Sequence, residues 1–260
     1  LESLKNIITN RPLLAVILAN FFNSFKSVGG SSESYFWLNN TGSLLNQTIC
    51  GLFTGIPNYI MVPVAAKMVK KWGARATSII AGLFGFFAYM TLFFVGFHPF
   101  GQTFKDHYIF NLIWVIFGLT ICGLPNKILN VSGQIVTAEA LDYMEWKHGL
   151  RNEALVTTVQ GYFGKLATSV TGWLSGMVLT WINYVPLTDS LGNAVPQTDP
   201  TMLNGIWAVF CILPALARGL YGVSFIIYPI HGDLQQQMII ELAEKRAQRL
   251  AEQEAKDHQA

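Results

Sequence analysis

The chain has 260 residues, of which 52% are hydrophobic and only 12% charged, with a formal net charge of +2. Soluble domains carry roughly twice that charged fraction, about a quarter of their residues, and the mean hydropathy here is positive. A water-soluble fold is therefore excluded, and the scattered basic residues exclude a nucleic-acid-binding face. The apolar residues fall into six blocks, Pro12–Leu38, Leu44–Val69, Ala76–Phe97, Ile109–Leu141, Ala154–Val185 and Leu203–Tyr228. A hydrocarbon core of ~30 Å needs about 20 helical residues. Each block reaches that length, and the longer ones suit tilted or interrupted helices. The pattern predicts an all-α polytopic membrane protein, with a six-helix bundle over residues 1–230 and an amphipathic tail over 231–260.

The charges give an orientation. Arg11, the group Lys67, Lys70, Lys71 and Arg75, then Lys147 and Arg151, then Lys245, Arg246, Arg249 and Lys256 occupy alternate connections. The intervening connections, 39–43, 98–108 and 186–200, hold only Lys105. By the positive-inside rule, both termini and the tail are expected on the cytoplasmic side of a plasma (cytoplasmic) membrane. Cys50, Cys122 and Cys211 lie inside apolar spans and read as small core residues, not as a disulfide set. Asn39 and Asn46 begin glycosylation sequons too short to be specific. The chain starts at Leu1 without a signal peptide, which suggests a fragment of a longer protein.

In chain order, the first span opens on Arg11-Pro12, as a helix start favours. It then turns polar through Asn20, Asn23, Ser24, Lys26, Ser27 and Ser31. Such groups are costly against lipid, so this stripe should face protein or a water-filled cavity. Pro57 and Pro63 predict kinks in the second span, and a basic turn follows. The third span, rich in Phe and Gly, reads as lipid-facing packing. In the fourth, Gly123-Leu124-Pro125 predicts a break at mid-depth, followed by Asn126, Lys127, Asn130 and Gln134. Broken helices bearing polar groups are how secondary transporters build binding sites, although a kink alone also fits. In the fifth, Thr157, Gly161, Lys165, Thr168 and Gly172 share one face, flanked by Gln160. Gly172 and Gly176 form a small-xxx-small pattern for close helix approach. The tail, with Leu234, Met238 and Leu242 four apart, reads as a solvated surface helix with a Glu241–Lys245 pair.

Four basic residues lie within spans: Lys26, Lys127, Lys165 and Arg218. Each costs about 2.5–3.5 kcal/mol at a helix centre unless paired or hydrated. Arg218 is taken to snorkel toward the cytoplasmic end. No carboxylate stands at mid-depth, since Glu33 lies toward the outer end of its span and Glu139 toward the inner end. The lysines' partners must come from helices outside this chain or from an anionic substrate. Both remain open. His98, His107, His148, His231 and His258 lack metal-ligand spacing, and no triad or phosphate loop is visible. An enzyme is not expected, nor a channel, since no filter repeat or ring of like charge is present.

The stretch AEALDYMEWKHGLRNE, from Ala138 to Glu153, carries the sharpest signal. It resembles the signature between the tenth and eleventh helices of the glycoside–pentoside–hexuronide:cation symporters, the melibiose permease family of the major facilitator superfamily. Asp142, Tyr143, Glu145, Gly149, Arg151 and Glu153 match that signature, whereas Glu139, His148 and Ala154 depart from it. Asn10-Arg11-Pro12-Leu13-Leu14 is similar to the family's entry to helix seven. Gln160 to Lys165 resembles its cavity-lining segment of helix eleven, and Tyr228-Pro229-Ile230-His231-Gly232-Asp233 resembles its ending.

The resemblance implies that the six spans are helices seven to twelve, the carboxyl-terminal half of a major facilitator fold. It implies cation (Na⁺ or H⁺):sugar symport by alternating access, with no cofactor and with the cation held mainly by the amino-terminal half. The expected partners are a sugar or glycoside, the coupling cation, the bilayer and that other half. Lys165 and Gln160 are the implied cavity residues. Asp142, Tyr143, Glu145, Arg151 and Glu153 would form a gating loop, or a static network. Lys127, Asn130, Asn20, Asn23 and Lys26 join the substrate candidates from their place in polar stripes. Lys26 and Lys127 would suit an anionic sugar such as a hexuronide. A lysolipid or other anionic-solute carrier of the same fold, and a non-transporting assembly partner, are the alternatives.

Overall fold

The computed structural model describes residues 10–97, 107–149, 151–191 and 194–257. Lys105, His98 and His258 lie outside them, as do the side chains of Ser31 and Lys256. Helix α1 (Arg11–Ser24) is started by Asn10, whose Oδ1 accepts the Leu13 N–H at 3.1 Å. That bond satisfies a donor the first turn would otherwise leave open. Helix α2 (Lys26–Thr41) continues the same pass after Phe25. Here the Ser24 hydroxyl donates to the Asn20 carbonyl at 3.0 Å, and Ser27 to Ser24 at 2.7 Å. Hydroxyls bonding back to their own helix bend it, so the first expected span is two helices in series.

Helix α3 (Leu45–Val95) holds both the second and third expected spans. Helical dihedrals fail inside it at Gly73 (φ 82°, ψ 161°), not at Pro57 or Pro63. A positive φ of this kind suits glycine, so Gly73 turns the chain between two limbs. Helix α4 (Tyr108–His148) runs through Pro125 without a break, which corrects the expected interruption. A proline removes one ladder bond, and membrane helices accommodate the freed carbonyl without unwinding. Helix α5 (Glu153–Trp181) follows, capped by Asn152. Two antiparallel two-residue strands then pair, β1 (Leu187–Thr188) with β2 (Ala194–Val195). Helix α6 (Pro200–Ser224) ends in a 3-10 turn over Phe225–Ile227, and α7 (Asp233–Asp257) closes the described chain.

Among the described residues, four helical stretches are long and apolar enough to cross a membrane: Arg11–Thr41, Leu45–Val95, Tyr108–His148 and Pro200–Ile227. α5 is not one of them. In the bundle α3 packs on α4 and α6, α6 also packs on α1 and α2, and α5 packs on α1 and α2. The second limb of α3 is not bland. Its Gly82 meets Gly222 of α6 so closely that a Cβ there would lie 2.7 Å from the Gly222 Cα and 2.8 Å from the Arg218 carbonyl oxygen. Cys50, Cys122 and Cys211 are buried and free, as read from sequence. Asn39 and Asn46 are buried and hydrogen-bonded, so neither sequon offers its amide to solvent.

The apolar interior is divided. One cluster joins Val16 and Ala19 of α1, Ala65 and Ala81 of α3, Leu129 and Val136 of α4 and Tyr221 of α6. A second joins Phe36 and Trp37 of α2, Cys50 and Leu92 of α3, Cys122 of α4 and Phe210 of α6. On each of these passes, the residues between the two clusters line a polar cavity.

Gly82→Ala is expected to force the α3–α6 seam apart, at about 1–3 kcal/mol for an overpacked site. That is a fall in melting temperature of about 2–4 °C per kcal/mol for a domain of this size, measurable by thermal denaturation in detergent.

Candidate functional site

The cavity between the clusters has a volume of about 480 Å³ and is lined by Lys26, Glu33, Asn58, Asn126, Lys127 and Arg218, among others. Lys26 and Glu33 sit one above the other on α2, Asn126 and Lys127 follow Pro125 on α4, and Arg218 follows Pro214 on α6. Arg218 does not snorkel. It is 2% exposed, with its stem against Gly85 of α3, where a Cβ would come within 3.2 Å of the arginine Cγ. Its Nη2 donates to Asn126 Oδ1, while Nε and Nη1 have no acceptor among the described residues. Lys127 Nζ stands 4.7 Å above the centre of the Tyr59 ring, a cation–π contact. Glu33, expected toward the outer end, also reaches this cavity, where Trp37 Nε1 donates to it at 3.4 Å.

A second cavity of about 490 Å³ adjoins the first and shares Asn130 with it. Its lining is uncharged and rich in amides: Asn20, Asn23, Asn130, Gln134 and Gln160, with Thr137 and Tyr221. The structure therefore gathers six of the seven candidate substrate residues into two adjoining spaces. Lys165 is the exception. It stands exposed on α5, on the same open face as Thr157, Gly161, Thr168 and Gly172. Gly172 and Gly176, expected at a close helix contact, have nothing among the described residues within 4 Å of where a Cβ would stand.

At the α4–α5 connection the candidate gating residues form a charged cluster. Arg151 Nη1 lies 2.8 Å from Asp142 Oδ1 and 3.8 Å from Glu145 Oε2, and its Nε lies 2.7 Å from Glu153 Oε1. Tyr143 stays out of the ion pairs and packs on Trp146, with ring centroids 5.7 Å apart. The tail supplies what sequence reasoning missed. Arg246 Nη2 contacts Glu145 Oε2 and, at 2.9 Å, Asp142 Oδ1, while Arg249 Nη1 lies 3.5 Å from Glu145 Oε1. Met238 and Leu242 are 2% and 3% exposed, so α7 is docked on the bundle and is not merely solvated. Lys245 favours the charged form of Glu241 from a distance, without a direct ion pair among the described residues. Glu241 accepts hydrogen bonds from Trp146 Nε1 at 2.6 Å and Gln237 Nε2 at 2.7 Å, while Lys245 donates to the Trp146 carbonyl at 3.4 Å. A sequence signal for all this existed. Leu234, Met238, Leu242, Arg246 and Arg249 fall at helical steps of four and three, which continues one stripe from apolar into basic residues.

A family model described as MFS/sugar transport protein matches residues 1–232. This chain belongs to the MFS sugar-transport family. Within that family it matches the glycoside–pentoside–hexuronide group, in agreement with the signature at Ala138–Glu153. It is 29% identical over 93% of its length to an uncharacterized symporter, YjmB, of Bacillus subtilis, of which it covers 48%. It is 22% identical over 95% of its length to the isoprimeverose transporter of Lactiplantibacillus pentosus, covering 47% of it. A glucuronide carrier protein homolog of Escherichia coli is 22% identical over 94% of the chain, with 50% of that protein covered. The chain thus spans about half the length of the curated relatives it matches. Membership of this MFS family, with its apolar helices, makes it a multi-pass membrane protein.

In this family member the docked tail can be tested directly. Arg246→Gln leaves Glu145, whose side chain is 7% exposed, short of a charge-assisted partner. Because Arg246 is itself 43% exposed, we expect the lower end of the usual range, about 1–1.5 kcal/mol. That is a five- to tenfold rise in amide exchange across α7, read by mass spectrometry. The pH dependence has a definite sign. Hydrogen bonds from Gln237 and then Trp146 hold the Glu241 carboxyl below its ordinary value, while Glu145 and Asp142 raise Arg246 further. A depressed carboxyl contributes above its unfolded pKa and loses that contribution as pH falls through the folded one. α7 protection, corrected for intrinsic rates, should be flat between pH 6 and 8 and decline below about pH 4.

Proposed function

We propose that this chain is the carboxyl-terminal half of a secondary sugar transporter, which couples a sugar or glycoside to Na⁺ or H⁺ and works by alternating access. The observation that carries the reading is the polar layer. Facing stripes from α1, α2 and α4 meet across two adjoining cavities, between two apolar clusters, in a member of a sugar-transport family. The uncharged cavity offers amides from Asn20, Asn23, Asn130, Gln134 and Gln160, and side-chain amides both donate and accept, as sugar hydroxyls require. A soluble carbohydrate has little reason to enter a bilayer, and a water-filled polar layer is the route around that cost.

In this reading the six expected spans all cross, with the two limbs of α3 and helix α5 among them. Both ends of the chain and α7 face the cytoplasm, as the basic connections indicate. The exposed face of α5, with Lys165 and the open glycines Gly172 and Gly176, turns toward the other six-helix half across the transport path. Lys165 then reaches sugar from a wall that this chain leaves open. The coupling cation needs oxygen ligands, and among the described residues that line the cavities Glu33 is the one carboxylate. That supports a cation site mainly in the other half. The Asp142–Glu145–Arg151–Glu153 cluster, clamped by Arg246 and Arg249, serves as the cytoplasmic gate, with ion pairs that break and reform as the halves rock.

Vesicles containing the full-length protein are expected to accumulate a labelled glycoside only under an imposed inward Na⁺ or H⁺ gradient. Accumulation should stop when the gradient is collapsed by an ionophore. If no glycoside or glucuronide accumulates under either gradient, the transport reading fails.

A further inference from the structure

We infer that Arg218, with Lys26 and Lys127, forms an anion-binding subsite that takes a carboxylate or sulfonate carried by the transported sugar. The inference rests on the transport reading above and names the chemistry that one of the two cavities selects. It starts from an imbalance. Lys26, Lys127 and Arg218 line one cavity with Glu33 as the only carboxylate among its lining residues, three positive groups against one negative, a formal excess of two. Among the described residues, none of the three cations forms an ion pair. Glu33 itself accepts from Trp37.

Arg218 has the geometry of a receptor. Its backbone is fixed by the α3–α6 seam at Gly82, and its stem lies along Gly85. One nitrogen, Nη2, is held by Asn126, which sets the plane of the guanidinium. Nε and Nη1 are buried with no acceptor among the described residues. A buried donor without a partner costs about 1–3 kcal/mol, and more when charged. An oxyanion entering the cavity that Arg218 lines would give this guanidinium the acceptor it lacks, and arginine's planar fork matches carboxylate or sulfonate oxygens in a way that a lysine cannot. Lys127, steadied over Tyr59, and Lys26 add positive charge on two other walls. The amide-lined cavity joined at Asn130 is then placed for the neutral ring of the same molecule.

The competing account is that a carboxylate from the other half neutralises these cations, so that the substrate can be neutral. Calorimetry on the purified full-length protein separates the two. The probes are p-nitrophenyl β-D-glucuronide and its neutral counterpart, p-nitrophenyl β-D-glucoside. The wild type should bind the glucuronide more tightly. Arg218→Gln should lower the ratio of the two affinities by ten- to a hundredfold, and Arg218→Lys should restore part of it. Lys127→Gln, at a half-exposed position, is the second variant and should lower the same ratio three- to tenfold. A wild-type preference for the glucoside, or an unchanged ratio in both glutamine variants, would overturn the inference. Vesicle uptake is scored separately: gradient-driven accumulation of the glucoside alone keeps the transport reading and sinks the anion subsite. Tight glucuronide binding without uptake of either probe does the reverse.

Discussion

The constraint on which the rest of this structure depends is the placing of charge between two apolar clusters. Three cations and one carboxylate share a layer that α2, both limbs of α3, α4 and α6 all cross. Ions in such a place are tolerated only with partners, water or ligand. The apolar clusters on either side supply the helix packing, and the layer between them has to stay open. This is why small residues gather around it. Gly82 and Gly85 of α3 and Gly222 of α6 let the backbones close around the stem of Arg218, and Gly29 of α2 is pressed against Pro214, where a Cβ would lie 2.5 Å from the ring. These seams fix the walls of the cavity, and the Arg218–Asn126 hydrogen bond joins two of them.

Much of the architecture was legible because membrane helices are specified by length and apolarity, and both can be counted along a chain. The blocks at 109–141, 154–185 and 203–228 each have one helical counterpart, and the block at 12–38 has two in series. What failed were statements about interruption and depth. Pro125 suggested a break, but a proline deletes a single hydrogen bond and the remainder of α4 holds. Gly73 makes the corner, inside the basic turn that the sequence marks between the second and third spans. Arg218 was placed near an end by position along its own helix. Its burial is decided by Gly82 and Gly85 on a different helix, and one-dimensional counting has no access to that.

The site residues divide along the same line. Asn20, Asn23, Lys26, Lys127 and Asn130 were found because a polar residue in an apolar span is conspicuous wherever it points. Lys165 is conspicuous for the same reason, yet it is exposed and lines neither cavity. Polarity marks a face that cannot meet lipid; it does not say which neighbour covers that face. On the tail the error ran the other way. Charged residues read as solvated, although Arg246 and Arg249 extend the stripe of Met238 and Leu242. In a helix lying against a membrane protein's polar end, the docking face can itself be charged, so amphipathicity scored on hydrophobicity alone stops one turn too early.

Cavity and tail are joined by a register that neither sequence stripe reveals alone. Three side chains of α6 and its C-terminal extension reach α4 at one constant offset: Arg218 to Asn126, Tyr221 to the Leu129 carbonyl at 3.3 Å and Tyr228 to the Val136 carbonyl at 3.2 Å, each 92 residues apart. An unchanged offset over ten residues means that the two helices run in the same direction and advance together. Tyr228 then passes the connection on, because its hydroxyl also donates to Glu139 at 2.9 Å, and Glu139 accepts from Gln235 of α7 at 2.7 Å. The path from the buried guanidinium to the docked tail is thus a line of hydrogen bonds along one pair of helices. A shift of α6 against α4 would have to break it at every rung, at a cost that grows with each buried donor left unmet. These rungs tie the wall that holds Arg218 to the end of the bundle where Glu139 meets Gln235 of the docked tail.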